Sequence, residues 1–210
     1  MTLKLGDIAP NFTAQTTQGE INFHEWAETN WIVFFSHPAD FTPVCTTELG
    51  SVAKLSNEFA NRNAKTIAIS LDTIASHHAW IEDINETQKT SVNFPIIADP
   101  DRKIAELYDL IHPKSLDNLT VRSVFIIDPT KKIRLTLTYP AATGRNFQEL
   151  LRVLDALQLT DNYKVATPAN WKQGDDVIIT TAIQTVDIPN HFPKGHTILK
   201  PYLRYTPQPN

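Results

Sequence analysis

Apolar and polar positions along the chain follow two different periods, and the change from one to the other marks the centre of the molecule. Residues 31–35 form a continuous apolar run, which predicts a short, fully buried strand. From Leu49 onward, apolar residues recur at helical spacing beside polar ones, which predicts a helix. Residues 36–48 therefore connect the end of a buried strand to the first turn of a helix.

The rest of the first 158 residues alternates between strand and helix patterns. Strands are predicted at 12–16, 20–23, 66–71, 96–98, 123–127 and 133–139, the last two as a hairpin, and helices at 24–27, 75–87, 102–109 and 147–157, with a polar loop at 110–119. Strands that alternate with helices and end in a hairpin predict an α/β fold with a mixed sheet.

Residues 159–210 have a different character, because prolines and turn residues interrupt them and only 177–183 shows a clear strand pattern. We expect such a segment not to bury a core by itself and to pack on the surface of a partner. The alternative is an extension packed against its own domain. The sequence thus predicts two domains, 1–158 and 159–210.

Composition narrows the class of protein. The 210 residues are 41% hydrophobic and 20% charged with a net charge of −4, which gives no basic field for nucleic acid or an anionic membrane. The single cysteine, Cys45, excludes an internal disulfide and a resolving cysteine in the same chain. The N-terminal residues lack the apolar core of a signal peptide, and no apolar run has the length of a membrane span. We therefore expect a cytoplasmic protein without a membrane span.

Cys45 is placed where a helix begins. Pro43 suits the first helical position, which makes Thr42 the predicted N-cap, with its hydroxyl directed at the first turn. Cys45 then falls in that turn, where unpaired backbone N–H groups and the helix dipole favour the thiolate form. The alternative interpretation of Cys45 is a small buried hydrophobic residue.

The stretch around Cys45 resembles a known active site. The spacing Pro38-x-x-x-Thr42-x-x-Cys45 matches the peroxiredoxin pattern, and residues 36–50 as a whole resemble the one-cysteine peroxiredoxins of the peroxiredoxin-six subfamily. The resemblance covers essentially the whole chain. It implies a thioredoxin-like fold and a C-terminal arm that joins a tight homodimer and covers the active site of the partner. Whether dimers assemble further stays open.

The same resemblance implies roles for individual residues. Cys45 would attack the peroxide, and Arg122 would supply the positive charge and the fixed donors that a breaking O–O bond needs. The Thr42 hydroxyl would hold both thiolate and peroxide, and Pro38 would shield the site from water. Three further residues would support these four: Glu48 by pairing with the arginines, Arg145 as the second of those arginines, and His37 beside the pocket.

The implied reaction is a thiol-dependent peroxidase cycle. Cys45 reduces hydrogen peroxide or an organic hydroperoxide and becomes a sulfenic acid, and excess peroxide oxidises it further to the inactive sulfinic form. Because the chain has no resolving cysteine, an external thiol or another small reductant must regenerate Cys45. No metal, haem, flavin or other cofactor is called for.

Two alternatives come from other classes. One is a peroxide sensor or holdase chaperone without useful turnover. The other is a cysteine hydrolase, which the sequence disfavours because His37, the histidine nearest to Cys45 in sequence, has no obvious orienting partner. The adjacent His77 and His78 diverge on a helix, so we do not expect them to chelate one metal.

Some relatives in the subfamily also carry a phospholipase activity that uses a serine, a histidine and an aspartate. Here His24 keeps the histidine, but Asn30 stands at the serine position and Thr130 at the aspartate position. Asparagine cannot act as a hydroxyl nucleophile. We therefore predict no phospholipase activity by that route.

Overall fold

The computed structural model describes residues 3–114 and 118–209. It divides into two compact units, with the division after Phe147. The strands of the first unit are β1 (Thr13–Thr16), β2 (Gly19–Asn22), β3 (Trp31–Ser36), β4 (Ala64–Ser70), β5 (Ile96–Ala98), β6 (Arg122–Ile127) and β7 (Ile133–Tyr139). Its helices are α1 (Phe23–Ala27), α2 (Pro43–Lys54), α3 (Ser56–Ala60), α4 (Ile74–Gln88) and α5 (Lys103–Leu107).

The first unit is built on a seven-stranded sheet in the order β2-β1-β5-β4-β3-β6-β7. Strands β3, β4 and β5 run parallel, whereas β6 pairs antiparallel with β3 and β7 pairs antiparallel with β6. β3 lies inside the sheet, between β4 and β6, and all six of its residues are buried, as its unbroken apolar sequence predicts. The predicted thioredoxin-like α/β fold with a mixed sheet is confirmed, and each predicted strand and helix of this unit is present within a few residues of its expected bounds.

The loop predicted at 110–119 is only partly open to description. Ile111 forms an isolated antiparallel bridge with Thr120, so the two ends of the loop are tied together. Residues 115–117 lie outside the described part of the chain.

The core of the first unit consists of apolar side chains from the sheet and from the helices beside it. Phe34 on β3 packs edge-on against Tyr108, with ring centroids 4.8 Å apart, and Phe23 on α1 stacks on Phe12 at 4.7 Å. The hydroxyl of Tyr108 donates to the Pro10 carbonyl, so the one polar atom of this ring is satisfied. This core fixes the position of β3, and β3 in turn fixes the start of the loop that leads to Cys45.

The second unit corrects one expectation. Instead of one strand at 177–183, it has a four-stranded sheet in the order β10-β11-β9-β8. Its elements are α6 (Phe147–Asn162, beginning at the division), β8 (Val165–Ala166), β9 (Val177–Ile179), a 3₁₀ turn (Thr185–Asp187), α7 (Ile188–His191), β10 (Thr197–Lys200) and β11 (Leu203–Thr206).

The expectation that this segment buries no core of its own is wrong. Its buried cluster consists of Leu159, Val165, Trp171, Val177, Ile179, Ile183, Ile188 and Phe192. The apolar residues are spaced too irregularly for a strand or helix pattern, but turns bring them together around Trp171, whose indole N–H donates to the Asp175 carbonyl at 3.1 Å.

The division between the units falls after Phe147, rather than after residue 158 as the sequence pattern suggests. The reason is α6, which continues to Asn162 and contributes Leu159 to the core of the second unit, where Ala156 also packs. Among the described residues, no helix combines the length and the apolarity that crossing a membrane requires.

Candidate active site

Cys45 lies in the first turn of α2, directly after the loop that leaves β3. β3 ends at Ser36, and α2 begins at Pro43 with extended backbone at Thr42 (φ −114°, ψ 145°). The helix therefore starts at Pro43, as the sequence predicts. Cys45 is a free thiol and is fully buried. It is therefore held inside the protein at the positive end of a twelve-residue helix.

Thr42 differs from its predicted role as a side-chain cap. Its hydroxyl donates to the Ala39 carbonyl at 2.9 Å and does not cap the helix. The Thr42 carbonyl, by contrast, accepts from the backbone N–H and from the hydroxyl of Thr46. Because the hydroxyl proton is already committed to Ala39, the Thr42 oxygen is left with acceptor capacity only.

Arg122 brings a fixed positive charge to the thiol. It is the first residue of β6, which pairs with β3, and its Nη1 donates to Cys45 Sγ at 3.2 Å. The same Nη1 donates to Glu48 Oε2 at 2.7 Å, and Nε donates to the Ala141 carbonyl at 2.9 Å. A guanidinium anchored at two further points therefore donates directly to the buried sulfur.

Glu48 lies one helical turn after Cys45 and is surrounded by guanidinium groups. Among the described residues it accepts four hydrogen bonds: one from Arg122 Nη1, and three from Arg145 through its backbone N, Nε and Nη2. Burial alone would raise the pKa of Glu48, but the charge and hydrogen bonds of Arg145 and the charge of Arg122 hold it below its ordinary value. Glu48 is therefore ionised and orients both arginines.

Arg145 ties this group to the sheet. Its Nη1 donates to the carbonyls of Ser36, at 2.8 Å, and Ser123, at 3.0 Å, which lie on the paired strands β3 and β6. Its guanidinium also lies 5.2 Å from the ring centre of Phe35 and 5.6 Å from that of Phe147. The sequence pattern gave Arg145 no chemistry of its own, and only the family resemblance singled it out.

A second buried cluster lies in the loop before α2, and sequence reasoning missed it as a unit. Asp40 Oδ1 is 3.0 Å from His37 Nε2, and Asp40 Oδ2 is 2.7 Å from His77 Nδ1 on α4. The Ser76 hydroxyl also donates to Oδ2, at 2.8 Å. Within the described part of the chain, these two histidines and Asp40 are the one His/Asp group whose atoms lie close enough together to ligate a metal ion. The predicted absence of a metal stays a prediction.

The protonation states in this cluster are set by burial and by hydrogen bonds. Burial lowers the pKa of His37 below its ordinary 6.5, and Asp40 opposes this only in part. Burial would raise the pKa of Asp40, but hydrogen bonds from His37 and His77 hold it far below its ordinary value. In the sequence His77 is notable only beside His78, because a contact across 37 residues of chain leaves no signal in a local pattern.

The expectation that His37 has no orienting partner is wrong. His37 does have an orienting partner, since Asp40 lies within hydrogen-bond distance of its ring. A missing partner for His37 therefore no longer disfavours a cysteine hydrolase. Pro38 is buried in the same loop, and its shielding of the thiol stays a prediction.

The residues at the phospholipase positions make ordinary structural contacts. His24 Nε2 lies 2.7 Å from the Ala9 carbonyl, Asn30 donates to the Ala27 carbonyl, and the Thr130 hydroxyl donates to Asp128 at 2.7 Å. The absence of phospholipase activity stays a prediction.

Comparison with known proteins gives the class that this fold and site define. Residues 5–136 match the AhpC/TSA family, and residues 156–187 match the C-terminal domain of 1-Cys peroxiredoxin. The chain belongs to the AhpC/TSA family of peroxiredoxins.

Individual relatives narrow this class further. A 1-Cys peroxiredoxin of Dictyostelium discoideum is 53% identical over 208 residues, which are 99% of this chain and 86% of that protein. The crystal structure of a cysteine-to-serine mutant of peroxiredoxin 6 from Arenicola marina is similar with a TM-score of 0.94 and 44% identity, over 99% of both chains. A yeast mitochondrial 1-Cys peroxiredoxin is similar with a TM-score of 0.91 and 48% identity, over 98% of this chain and 100% of that one.

These relatives define a thiol-dependent peroxidase with a single cysteine. The C-terminal match shows that the likeness extends beyond the unit that contains Cys45. The sensor or holdase alternative is not favoured, because the similar proteins carry the names of peroxiredoxins.

Proposed function

We propose that Cys45 is the peroxidatic residue and that Arg122, held by Glu48 and Arg145, stabilises both its thiolate and the transition state of peroxide reduction. The observation that carries the proposal is the shared Nη1 of Arg122, which lies 3.2 Å from Cys45 Sγ and 2.7 Å from Glu48 Oε2. Glu48 fixes the guanidinium in place, so its charge and donors are oriented before peroxide arrives.

In the proposed step the Cys45 thiolate attacks the terminal oxygen of hydrogen peroxide or of an organic hydroperoxide. The S–O bond forms as the O–O bond breaks, and the leaving oxygen takes up a proton to become water or an alcohol. Cys45 is oxidised to a sulfenic acid and the peroxide is reduced. Charge that develops on the departing oxygen is stabilised by the guanidinium of Arg122.

Thr42, Pro38 and His37 have supporting roles in this proposal. The Thr42 hydroxyl donates to Ala39, so it acts on peroxide as an acceptor of the O–H, and not as a donor to sulfur. Pro38 and His37 are buried in the loop between β3 and α2, which excludes water from the thiol.

We infer that an external thiol, such as glutathione, regenerates Cys45. One thiol condenses with the sulfenic acid to give a mixed disulfide and water, and a second thiol releases Cys45 and forms the oxidised disulfide. Support comes from the single cysteine of this chain and from the yeast relative, whose structure is described as a thiol resolving mechanism via glutathione/thioredoxin systems.

The test is steady-state consumption of hydrogen peroxide with excess glutathione, and separately with a thioredoxin system, using wild type and Cys45→Ser. We expect turnover in the wild type with at least one of these reductants and none in the variant. Peroxide consumption that persists in Cys45→Ser would contradict the proposal.

We also propose a homodimer in a reducing cytoplasm. Support for association comes from apolar side chains exposed on β10 and the turn after it: Ile198, Leu199 and Tyr202 are 46%, 58% and 69% exposed. Support for a reducing compartment comes from Cys45, which is a free thiol and not part of a disulfide. Sedimentation of wild type and Leu199→Lys tests association: a wild-type monomer at micromolar concentration would contradict the dimer.

A further inference from the structure

Both ring nitrogens of His77 face hydrogen-bond acceptors. Nδ1 lies 2.7 Å from the Asp40 carboxylate, and Nε2 lies 3.1 Å from the backbone carbonyl of Ile97 on β5. A neutral imidazole carries one N–H, so in that form one of these contacts would join two acceptors inside a fully buried site. Both contacts are hydrogen bonds only if each ring nitrogen carries a proton, which is the imidazolium form.

The groups around His77 support this charge state. Asp40 accepts from Ser76 at the oxygen that faces His77, and its other oxygen accepts from His37. Asp72 adds a second carboxylate at the end of β4, where it accepts from the backbone N–H of Asp40 at 3.0 Å. Asp40 is thus a carboxylate in direct contact with the His77 ring, and it favours one buried cation there.

Asp40 also determines the tautomer of His37. Since its carboxylate can only accept, the His37 Nε2 that faces it at 3.0 Å must carry the proton. His37 Nδ1 is then a bare acceptor, and it is buried with no hydrogen-bond partner among the described residues. A buried acceptor without a partner costs stability, so it is a position that a donor is expected to fill.

The cluster is also connected to the helix that carries Cys45. The His37 ring lies 5.1 Å from the ring of Trp80 on α4, and Trp80 Nε1 donates to the hydroxyl of Thr46 at 3.1 Å. Thr46 follows Cys45 directly in the first turn of α2. These contacts therefore link the protonation state of the cluster to the loop and the helix start around the thiol.

We propose that His77 and Asp40 are positioning residues of the peroxidase: the His77 imidazolium keeps Asp40 ionised, and Asp40 keeps His37 in the tautomer whose Nδ1 accepts a hydrogen bond from a peroxide or sulfenic acid O–H. The last step rests on the proposed function of Cys45. The charge state of His77 and the tautomer of His37 do not, so they can be measured independently.

The first test is long-range ¹H–¹⁵N NMR of the histidine rings in the reduced wild-type protein at neutral pH, with His77→Asn and His37→Asn to assign the signals. We expect His77 to show two protonated nitrogens and His37 to show the Nε2–H tautomer. A neutral His77 ring would overturn the proposal, and so would a stoichiometric metal ion found in the purified protein by elemental analysis.

The second test is Asp40→Asn, which keeps the shape but offers one acceptor oxygen and one donor nitrogen. With the amide oxygen turned to His77 and Ser76, the amide N–H₂ faces His37 and shifts its proton to Nδ1. We expect the rate constant of Cys45 oxidation to fall roughly tenfold, as expected for a lost hydrogen bond of moderate strength. His78→Asn, an exposed neighbour on α4, is the matched control and keeps the wild-type rate.

The outcomes separate the two proposals. If the wild-type thiol is not oxidised rapidly, the proposed function fails, while the NMR result still decides the ring states. If Asp40→Asn moves the proton of His37 but reacts within twofold of the wild-type rate, the positioning role is overturned. If Asp40→Asn does not fold, His77→Asn is measured in the same way, with the same tenfold loss expected.

Discussion

Two buried clusters lie near the end of β3, and each consists of one carboxylate between two bases. Glu48 lies between Arg122 and Arg145, and Asp40 lies between His37 and His77. The bases differ in one property that decides what each cluster does. Guanidinium groups do not lose their protons in proteins, whereas imidazole rings do.

This difference suits each cluster to its place. A permanent cation is needed beside Cys45, because the thiolate and the departing oxygen must be stabilised in every turnover. In the loop before α2, by contrast, histidines take the protonation states that their acceptors dictate, so hydrogen bonds determine which ring nitrogen is left free. The arginine cluster supplies positive charge beside the thiol, and the histidine cluster determines which ring nitrogen of His37 is free to accept a hydrogen bond.

The largest expected effect on activity comes from weakening the charge beside the thiol. Arg122→Lys keeps a cation but loses the fork that reaches Cys45, Glu48 and the Ala141 carbonyl together. We expect the rate constant of Cys45 oxidation to fall by about 10²-fold, as for the removal of a transition-state donor. Rapid-quench kinetics measure it, with Arg62→Lys, which contacts Glu58 outside both clusters, as control. A rate within threefold of wild type would show that the fork is not needed.

The second prediction compares the two carboxylates directly. Glu48→Gln leaves two buried arginines without their counter-charge, and we expect it to cost about 3–5 kcal/mol of the free energy of unfolding. Asp40→Asn should cost clearly less, because its two partners are imidazole rings, which also exist in a neutral form, whereas guanidinium groups stay charged. Urea unfolding of both variants measures the difference. Equal losses of unfolding free energy in the two variants would contradict this difference between the arginine and histidine clusters.

A third prediction concerns the helices that carry the two clusters. Glu48 is on α2 and His77 on α4, and these helices approach closely at Gly50, where a Cβ would lie 2.6 Å from Gln88 Cβ. Because that atom is fixed to the backbone of α4, Gly50→Ala should force the helices apart and cost about 1–3 kcal/mol.

The control for Gly50 is Gly144→Ala, where a Cβ would meet Val44 Cγ1 at an ordinary 3.5 Å. Thermal unfolding measures both variants. If the two alanine variants are equally stable, the close approach at Gly50 does not limit helix spacing.

The smallest effect is a pH dependence that separates the clusters. Burial lowers the pKa of His37 below 6.5, so in mildly acidic solution the unfolded state binds a proton that the folded state does not. The free energy of unfolding should therefore fall as the pH drops from about 6 to 5, by about 1 kcal/mol per pH unit. Glu48, whose pKa lies below its ordinary 4.5, contributes in the same direction only at lower pH.

Urea unfolding at several pH values tests this, and His37→Asn should flatten the slope between pH 6 and 5. A slope that is the same in the variant and the wild type would mean that another group titrates in this range.

The two clusters also show which features of the site can be predicted from the sequence. The unbroken apolar run of β3, Pro43 and the spacing to Cys45 are local signals, and they predicted the strand, the helix start and the position of the thiol in its first turn. Arg122 and Arg145 carry no local signal, since each reaches Glu48 from far along the chain, and only the resemblance to a family named them.

The failures have physical causes of the same kind. The Thr42 hydroxyl was expected to cap α2, but the Ala39 carbonyl in the preceding turn competes for its proton. The core around Trp171 and the contact between Asp40 and His77 join residues whose spacing has no helical or strand period. Periodicity detects faces of regular elements, and it is blind to contacts made by loops.

The central claim, that Cys45 is the peroxidatic thiol, is tested most directly by intact mass. Reduced wild type and Cys45→Ser are mixed with one equivalent of hydrogen peroxide at neutral pH and quenched from milliseconds to seconds. We predict rapid gain of one oxygen atom in the wild type, absent in the variant and reversed by added thiol. Oxidation no faster than that of free cysteine would contradict the account.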